Sequence, residues 1–198
     1  LAGIWTLAAG LPPAYALGLV FLGQFLDLFD GRAAEKWGST PRGEVFDDVA
    51  DGTSFGATVG LLVATSFQNV WVGVAMGVAH VVATAYRLVR FVVEKRKAGV
   101  QGGVKTFAGM PSPGGALLTG TAVLLLPWDW AKGAVVLLTA ALMISRVPYP
   151  HFGRAILPSI PKLARVLILA GFVVLLAQAV RTGDFENPII VGFVVALT

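Results

Sequence analysis

The chain has 198 residues, of which 56% are hydrophobic and only 13% are charged, and its mean hydropathy is +0.78. Soluble domains carry about 25% charged residues, so this composition excludes an ordinary water-soluble domain and is typical of an integral membrane protein. The absence of cysteine excludes disulfides and cysteine-ligated metals. The formal net charge is +4, but the basic residues lie between apolar segments, so we interpret them as topology signals and expect no nucleic-acid partner.

Apolar segments divide the chain into about eight predicted transmembrane helices, because a helix needs about 20 mostly apolar residues to cross a bilayer. In chain order the segments are 1–11, 14–29, 45–65, 70–93, 113–126, 131–145, 162–180 and 188–198. We expect the first and the last to be truncated spans. The sequence therefore predicts an all-α fold, a polytopic transmembrane helical bundle in which residues 1–198 form a single domain.

The basic residues are distributed unevenly between the two predicted sides of the membrane. If the connection 30–44 faces the cytoplasm, the connections 92–112 and 146–162 face it too. Only Lys132 and Arg181 lie on the other side, and the remaining thirteen of the fifteen basic residues lie on or beside the first. This asymmetry follows the positive-inside rule, so the loop 30–44 is predicted to lie at the cytoplasmic face.

Seven of the eleven acidic residues fall between positions 27 and 51. Asp27 and Asp30 are three residues apart on the second predicted helix, and Asp47 and Asp51 are four apart on the third, so each pair shares a helix face. Two antiparallel helices joined by a short loop would present all four carboxylates to one cleft, where their repulsion requires cations. Oxygen ligands without His or Cys favour hard ions such as Mg²⁺, Mn²⁺ or Ca²⁺.

The alternative for this acidic cluster is a solvated helix–loop–helix with ordinary surface acids. Asp27 and Asp30 interrupt apolar residues at the end of a predicted span, where an ionised carboxylate is costly to bury, and this argues for a site. Glu44 and Asp48 fall off the shared face, and we expect both to be solvated.

Two glycines lie beside these carboxylates. Gly31 directly follows Asp30, and Gly43 lies four residues before Asp47. Glycine lets a bulky anionic ligand approach the backbone closely. A metal site next to such a surface is suited to diphosphate chemistry, in which cations neutralise the developing charge.

The stretch from Asp27 to Asp51 resembles the CDP-alcohol phosphatidyltransferase signature, Asp-x2-Asp-Gly-x2-Ala-Arg-x8-Gly-x3-Asp-x3-Asp. All four aspartates and both glycines of the signature are present. Two features depart from it: Glu35 replaces the family arginine, and seven residues rather than eight separate this position from Gly43. The first removes a positive charge that family members keep beside the phosphate site, and the second implies a reshaped loop.

Four later elements resemble the phosphatidylserine synthase branch of that family. They are Asp51-Gly-Thr-Ser54-Phe55-Gly56, Tyr86-Arg87-Leu-Val-Arg90-Phe91, Phe107-Ala-Gly109-Met-Pro111-Ser112-Pro113 and Ser145-Arg-Val-Pro148-Tyr149. The resemblance implies a membrane enzyme that transfers a phosphatidyl group from CDP-diacylglycerol to a small alcohol, with L-serine favoured, and releases CMP. It also implies a homodimer among membrane lipids, with the active site at the cytoplasmic face.

The resemblance further implies two divalent cations, Mg²⁺ or Mn²⁺, and a role for each matching residue. Asp51 would be the general base for the incoming hydroxyl as well as a shared metal ligand. The other implied metal ligands are Asp27, Asp30 and Asp47. The residues implied in binding the CDP group are Asp27, Gly31, Ala34, Gly43 and Asp47.

Two other functions remain open at this point. The same chemistry could use a different acceptor, such as glycerol phosphate or inositol phosphate. The acidic cluster could instead be the intramembrane site of a divalent-cation transporter, but transporters of many folds contain internal repeats and this chain has one acidic cluster without a second copy.

Arg87 and Arg90 end the fourth predicted helix on the side of the acidic cluster. They are candidates for a clamp on phosphate or on the serine carboxylate, since guanidinium binds such groups bidentately, and positive-inside anchoring is the alternative. Ser54 is a third candidate for acceptor contact. Serines in apolar helices usually bond to backbone carbonyls, however, and the same expectation applies to Ser112 and Ser145.

One histidine, His80, lies in the middle of the fourth predicted helix. It has no evident histidine partner in the sequence. We expect it to be a packed interior residue.

Overall fold

The computed structural model describes residues 1–24, 41–98 and 106–150, together with the single positions 161, 170, 171 and 174. The helix predicted over 188–198, and nearly all of the one predicted over 162–180, lie outside the described residues. So do four of the predicted site residues, namely Asp27, Asp30, Gly31 and Ala34.

Most of the described residues are helical, as predicted. The helices are α1 (Ala2–Ala8), α2 (Pro13–Gln24 as far as it is described), α3 (Pro41–Asp51), α4 (Val59–Thr65), α5 (Val70–Ala98), α6 (Ser112–Leu125) and α7 (Asp129–Ile144). A π-helical segment, Gly52–Thr58, joins α3 to α4 without a break. The predicted helices over 70–93, 113–126 and 131–145 are confirmed to within a few residues at each end, and the one over 45–65 is confirmed with its π-helical interruption.

One helix of the described residues is long and apolar enough to cross a membrane. It is the part of α5 over Val70–Glu94, whose mean hydropathy is 1.5. Two shorter apolar helices, Pro13–Gln24 and Ser112–Leu125, accompany it. The predicted count of about eight spans therefore stays a prediction.

The core is built where α4 and the π-helical segment pack against α5, α6 and α7. Phe55, Val59 and Leu62 are almost fully buried there and cluster with Leu117 of α6 and Val136 of α7. These side chains recur every three or four residues on the α4 side, which is the spacing of one helix face.

Helices α4 and α5 approach each other backbone to backbone through glycines. A Cβ atom added to Gly77 would overlap the carbonyl oxygen of Gly60, and one added to Gly73 would overlap that of Ala64. Small residues permit this close approach between helices in apolar surroundings. The relative position of α4 and α5 is therefore set by main-chain contact.

A short two-stranded ribbon departs from the all-helical expectation. Strand β1 (Thr106–Ala108) pairs antiparallel with β2 (Pro148–Pro150), with Phe107 opposite Tyr149. Proline lacks the N–H that a longer ladder would need, so the two prolines of β2 limit the pairing. The ribbon ties the chain before α6 to the chain after α7.

Candidate active site

The described half of the predicted carboxylate cluster lies at the end of α3. Asp47 and Asp51 are one turn apart on this helix, Asp47 exposed and Asp51 half-buried, and Gly43 is exposed one turn before them. Asp48 is half-buried rather than fully solvated as expected, while the side chain of Glu44 is outside the described set. Because Asp27 and Asp30 are also outside it, the convergence of all four aspartates remains a prediction.

The donor chemistry of this pair fits a hard divalent cation. Two carboxylates one turn apart supply oxygen ligands only, which is the set that Mg²⁺ and Mn²⁺ prefer. Within the described residues no group of three or more His, Cys, Asp or Glu side chains is placed to hold a metal ion. A complete site would thus need further oxygens, which Asp27 and Asp30 are predicted to supply.

Arg87 of α5 lies next to this end of α3 and is buried, with only 6% of its surface exposed. Its guanidinium interacts electrostatically with the Asp51 carboxylate. Its Nη1 donates a 2.9 Å hydrogen bond to Ser112 Oγ, and its Cζ lies 5.6 Å from the centre of the Phe91 ring. A buried charge is tolerated when it has an opposite charge and hydrogen-bond partners, and Asp51 and Ser112 provide them.

Arg90, one turn further along α5, makes a different set of contacts. Its Nη1 donates to the Ile144 carbonyl at 2.7 Å, and its Nη2 donates to the carbonyls of Ala108 and Met143. Its Nε lies 4.0 Å from Glu94. These contacts join α5 to the ribbon and to the end of α7, and the clamp role of Arg90 stays a prediction.

The Gly-Met-Pro-Ser-Pro element connects the ribbon to α6 beside Arg90. Gly109 has φ of 83°, and an added Cβ atom would lie 2.6 Å from both Arg90 Nη2 and the Met143 carbonyl oxygen. Only glycine satisfies both the left-handed backbone and the close approach. Pro111 then caps α6, and the buried Ser112 begins it and meets Arg87.

The π-helical segment begins directly after Asp51 and contains Ser54, which is half-buried. Within it Thr58 Oγ1 donates to the Thr53 carbonyl at 2.9 Å, and Thr53 Oγ1 donates back to Val49 at 2.8 Å. This change of helix type could not be predicted from the sequence, because a segment of seven residues is too short to show a period different from that of the α-helix around it.

The expectations for the remaining polar residues have mixed outcomes. His80 is wholly buried, as expected of a packed interior residue. Ser145 Oγ donates to the Leu142 carbonyl at 2.7 Å, which confirms the predicted backbone bond. Ser112 Oγ accepts the hydrogen bond of Arg87, and the expected bond of its hydroxyl to a backbone carbonyl stays a prediction.

Comparisons with known proteins place the chain in a family. The sequence profile of the family described as CDP-alcohol phosphatidyltransferase matches residues 2–149. Two similar curated proteins both carry the name CDP-diacylglycerol–serine O-phosphatidyltransferase. The one from Bacillus subtilis is 28% identical over 143 residues, covering 69% of this chain and 75% of the relative. The one from Methanocaldococcus jannaschii is 27% identical over 157 residues, covering 79% and 74%.

The profile match spans α1 to the ribbon and includes Asp47, Asp51, Arg87 and Ser112. It therefore covers the whole of the described site and well over half of the chain. This chain belongs to the CDP-alcohol phosphatidyltransferase family.

Proposed function

We propose that this phosphatidyltransferase uses CDP-diacylglycerol as donor and L-serine as acceptor, forming phosphatidylserine and CMP. Two findings support serine: both curated relatives are named for it, and the Ser-Phe-Gly and Gly-Met-Pro-Ser-Pro elements flank the described site. The observation that carries the proposal is the buried guanidinium of Arg87, which interacts electrostatically with Asp51 at the end of α3. Family membership favours this enzymatic function over cation transport.

The four aspartates would hold two divalent cations, Mg²⁺ or Mn²⁺. Bound there, such ions neutralise diphosphate charge and make CMP a better leaving group. The residues proposed as ligands are Asp27, Asp30, Asp47 and Asp51. Gly31, Ala34 and Gly43, together with Asp27 and Asp47, are proposed to receive the CDP group.

Asp51 is proposed as the general base. Its carboxylate accepts the proton of the serine hydroxyl while the hydroxyl oxygen forms a bond to the phosphorus that bears diacylglycerol. The bond between this phosphorus and the bridging oxygen of the diphosphate breaks, and CMP leaves with the electron pair. The half-buried position of Asp51 at a helix end supports this role, since it is partly shielded from water yet reachable.

Arg87 is proposed to hold the serine carboxylate. A guanidinium binds a carboxylate bidentately, and the buried Arg87 lies beside Ser112, to which its Nη1 donates. Because Arg87 interacts with Asp51, a serine bound to it would carry its hydroxyl toward that base. Arg90, bonded to three carbonyls, would keep the neighbouring wall in place, and Ser54, three residues after Asp51, is proposed to contact the acceptor.

The enzyme is proposed to be an integral membrane protein with this site at the cytoplasmic face. Support comes from α5, whose outward side chains Val74, Val78, Val82 and Val89 are all more than 40% exposed. A contiguous apolar helix face of this kind indicates contact with lipid or another apolar partner. The homodimer stays a prediction.

The acceptor is tested by incubating the purified enzyme with CDP-diacylglycerol, Mg²⁺ or Mn²⁺ and labelled serine, glycerol phosphate or inositol phosphate in separate reactions. We expect phosphatidylserine and CMP to form in equal amounts, with serine giving the highest kcat/KM. A higher kcat/KM for either phosphorylated alcohol would overturn the choice of serine while leaving phosphatidyl transfer intact.

The base is tested by Asp51→Asn, with Asp48→Asn as the matched control on the same helix turn. Loss of a general base costs about 100-fold or more in rate, so we expect Asp51→Asn to bind CDP-diacylglycerol but to lose turnover to at least this extent. Asp48→Asn should keep most of its turnover. Turnover at the wild-type rate in Asp51→Asn would remove Asp51 from the role of base.

A further inference from the structure

The helix that carries Asp51 changes its geometry directly after that residue, at the start of the π-helical segment Gly52–Thr58. A π turn closes i→i+5 hydrogen bonds and so takes one more residue than an α turn; such turns are rare and lie frequently at functional sites. In an uninterrupted α-helix, Asp51 would share a face with Phe55 and Val59, both buried in the core. The π-helical segment therefore changes the direction in which the Asp51 side chain points relative to that core.

One side chain of α5 that contacts this segment is His80. It is wholly buried, and its Nε2 lies 2.9 Å from the Phe55 carbonyl oxygen. The N–H of Val59, which would bond to the Phe55 carbonyl in a regular α-helix, bonds to the Gly56 carbonyl instead. The imidazole thus supplies the Phe55 carbonyl with a donor at the point where the regular ladder is interrupted.

The protonation of His80 Nε2 follows from this contact. A carbonyl oxygen can only accept, so Nε2 carries a proton and donates it to the Phe55 carbonyl. Nδ1 is buried and has no hydrogen-bond partner in the part of the chain that the structure describes. The hydrogen bond that the imidazole makes among the described residues is therefore the one to the π-helical segment. The geometry of this bond depends on where α5 places the imidazole.

The position of His80 along α5 is itself well determined. One turn before it, Gly77 meets the backbone of Gly60 on α4. One turn after it, Thr84 Oγ1 donates to the His80 carbonyl at 2.9 Å. These contacts fix the position of the imidazole along α5, beside Phe55.

We propose that His80 is a positioning residue for phosphatidyl transfer: through its bond to the Phe55 carbonyl it stabilises the π-helical segment and thereby sets the direction of Asp51. The proposal rests on the proposed role of Asp51. His80 touches neither substrate nor metal in this account, and it acts only through the backbone of residues 52–58.

The test compares His80→Leu, which removes the donor, with His80→Gln, whose amide nitrogen reaches to about the place of Nε2. Thr139→Val is the matched control, since it removes a buried hydroxyl of α7 that makes no hydrogen bond among the described residues. Misplacement of a catalytic group by about 1 Å can cost 100-fold. We expect His80→Leu to lower kcat by about 10-fold to 100-fold with little change in the KM for CDP-diacylglycerol, and His80→Gln to restore most of the loss.

A structural readout accompanies the kinetics. Amide hydrogen exchange of residues 52–60, measured in detergent, should be faster in His80→Leu than in His80→Gln or Thr139→Val. If the leucine variant does not fold, His80→Asn replaces it, because its side chain is too short to reach Phe55.

Two results would overturn the proposal: unchanged kcat in a folded His80→Leu, or a parallel loss in His80→Leu and His80→Gln without any difference in exchange. Failure of folding in both the leucine and asparagine variants would show a purely structural role and would overturn it as well. Asp51→Asn is assayed beside them. An active Asp51→Asn enzyme would count against the proposed base, whereas an inactive one together with normal His80→Leu turnover would count against His80 alone.

Discussion

The two ends of the buried face of α5 make different kinds of contact with the rest of the protein. This face runs through Gly73, Gly77, His80, Thr84 and Arg87, which are spaced alternately by four and three residues and are all buried. Toward Val70 the glycines bring α5 against the backbone of α4. Toward Ala98 the face becomes polar, and its side chains make specific hydrogen bonds to the π-helical segment and to α6.

The difference indicates how a mostly apolar chain obtains precise polar geometry. Main-chain contact between helices leaves little freedom for sliding or rotation, because backbone atoms cannot rearrange as side chains do. The polar residues further along the same helix can then reach fixed partners. If this difference holds, substitutions in the part of this face toward Val70 should mainly affect folding. Substitutions in the part toward Ala98 should mainly affect catalysis.

The largest loss of stability is expected from Gly77→Ala, which places a methyl group against the Gly60 carbonyl. The atoms that it would meet belong to the backbone, so α4 and α5 must move apart, and overpacking of this kind costs about 3 kcal/mol. Thermal unfolding in detergent measures the effect. Gly23→Ala on α2 is the control, because its added Cβ atom has no neighbour within 4 Å among the described residues and alanine favours a helix. Equal stability of the two variants would contradict the backbone contact.

The next effect is expected at the polar end, from Arg87→Met. This variant leaves Ser112 Oγ without its donor and removes the positive partner of Asp51. We expect kcat/KM for serine to fall by about 10-fold or more, as for the loss of a hydrogen bond to a charged group, with unfolding temperature lowered less than in Gly77→Ala. Arg87→Lys keeps the charge without the planar fork and should be intermediate.

The control for Arg87 is Arg146→Met, a change of the same type at an exposed position after α7. It should leave serine kinetics unchanged. Wild-type kcat/KM in Arg87→Met would remove Arg87 from the acceptor site and would return it to the anchoring interpretation.

The smallest effect is expected from Gly56→Ala, the same substitution as Gly77→Ala but inside the π-helical segment. Its added Cβ atom would lie 3.4 Å from Thr84 Cγ2, a side-chain methyl at ordinary contact distance. We expect a change below about 0.5 kcal/mol in unfolding free energy and little change in kcat. A loss as large as that of Gly77→Ala would show that close glycine packing extends along the whole of α5, and the distinction between its two ends would fail.

Much of the helical framework followed from the sequence, because long apolar segments and their breaks are strong local signals. The helices over 70–93, 113–126 and 131–145 were predicted with small errors at their ends, and the family was recognised from Asp27 to Asp51, a match that the profile over residues 2–149 confirms. The face shared by Asp47 and Asp51 likewise needs only the helical period. The short ribbon of β1 and β2 was missed, since three-residue strands separated by about 40 residues leave no periodic pattern.

The partners of individual polar side chains could not be predicted in this way. From the sequence alone, Arg87 and Arg90 could not be assigned different partners, because both are cations and they lie one turn apart at the same helix end. Tertiary packing distinguishes them, because Arg90 donates to the carbonyls of Ala108 and Ile144, whereas Arg87 donates to Ser112 and interacts electrostatically with Asp51.

The sequence by itself determined that this protein is mostly helical, that its composition is strongly apolar and that it carries a pair of carboxylates one turn apart on α3. These properties depend on composition and on spacing within one helix. Only the tertiary structure decided that α3 passes into a π-helical segment after Asp51 and that His80 donates to Phe55 across the helix interface. Such contacts join residues 25 positions apart, and they form only once α4 and α5 have packed at a distance that the glycines between them allow.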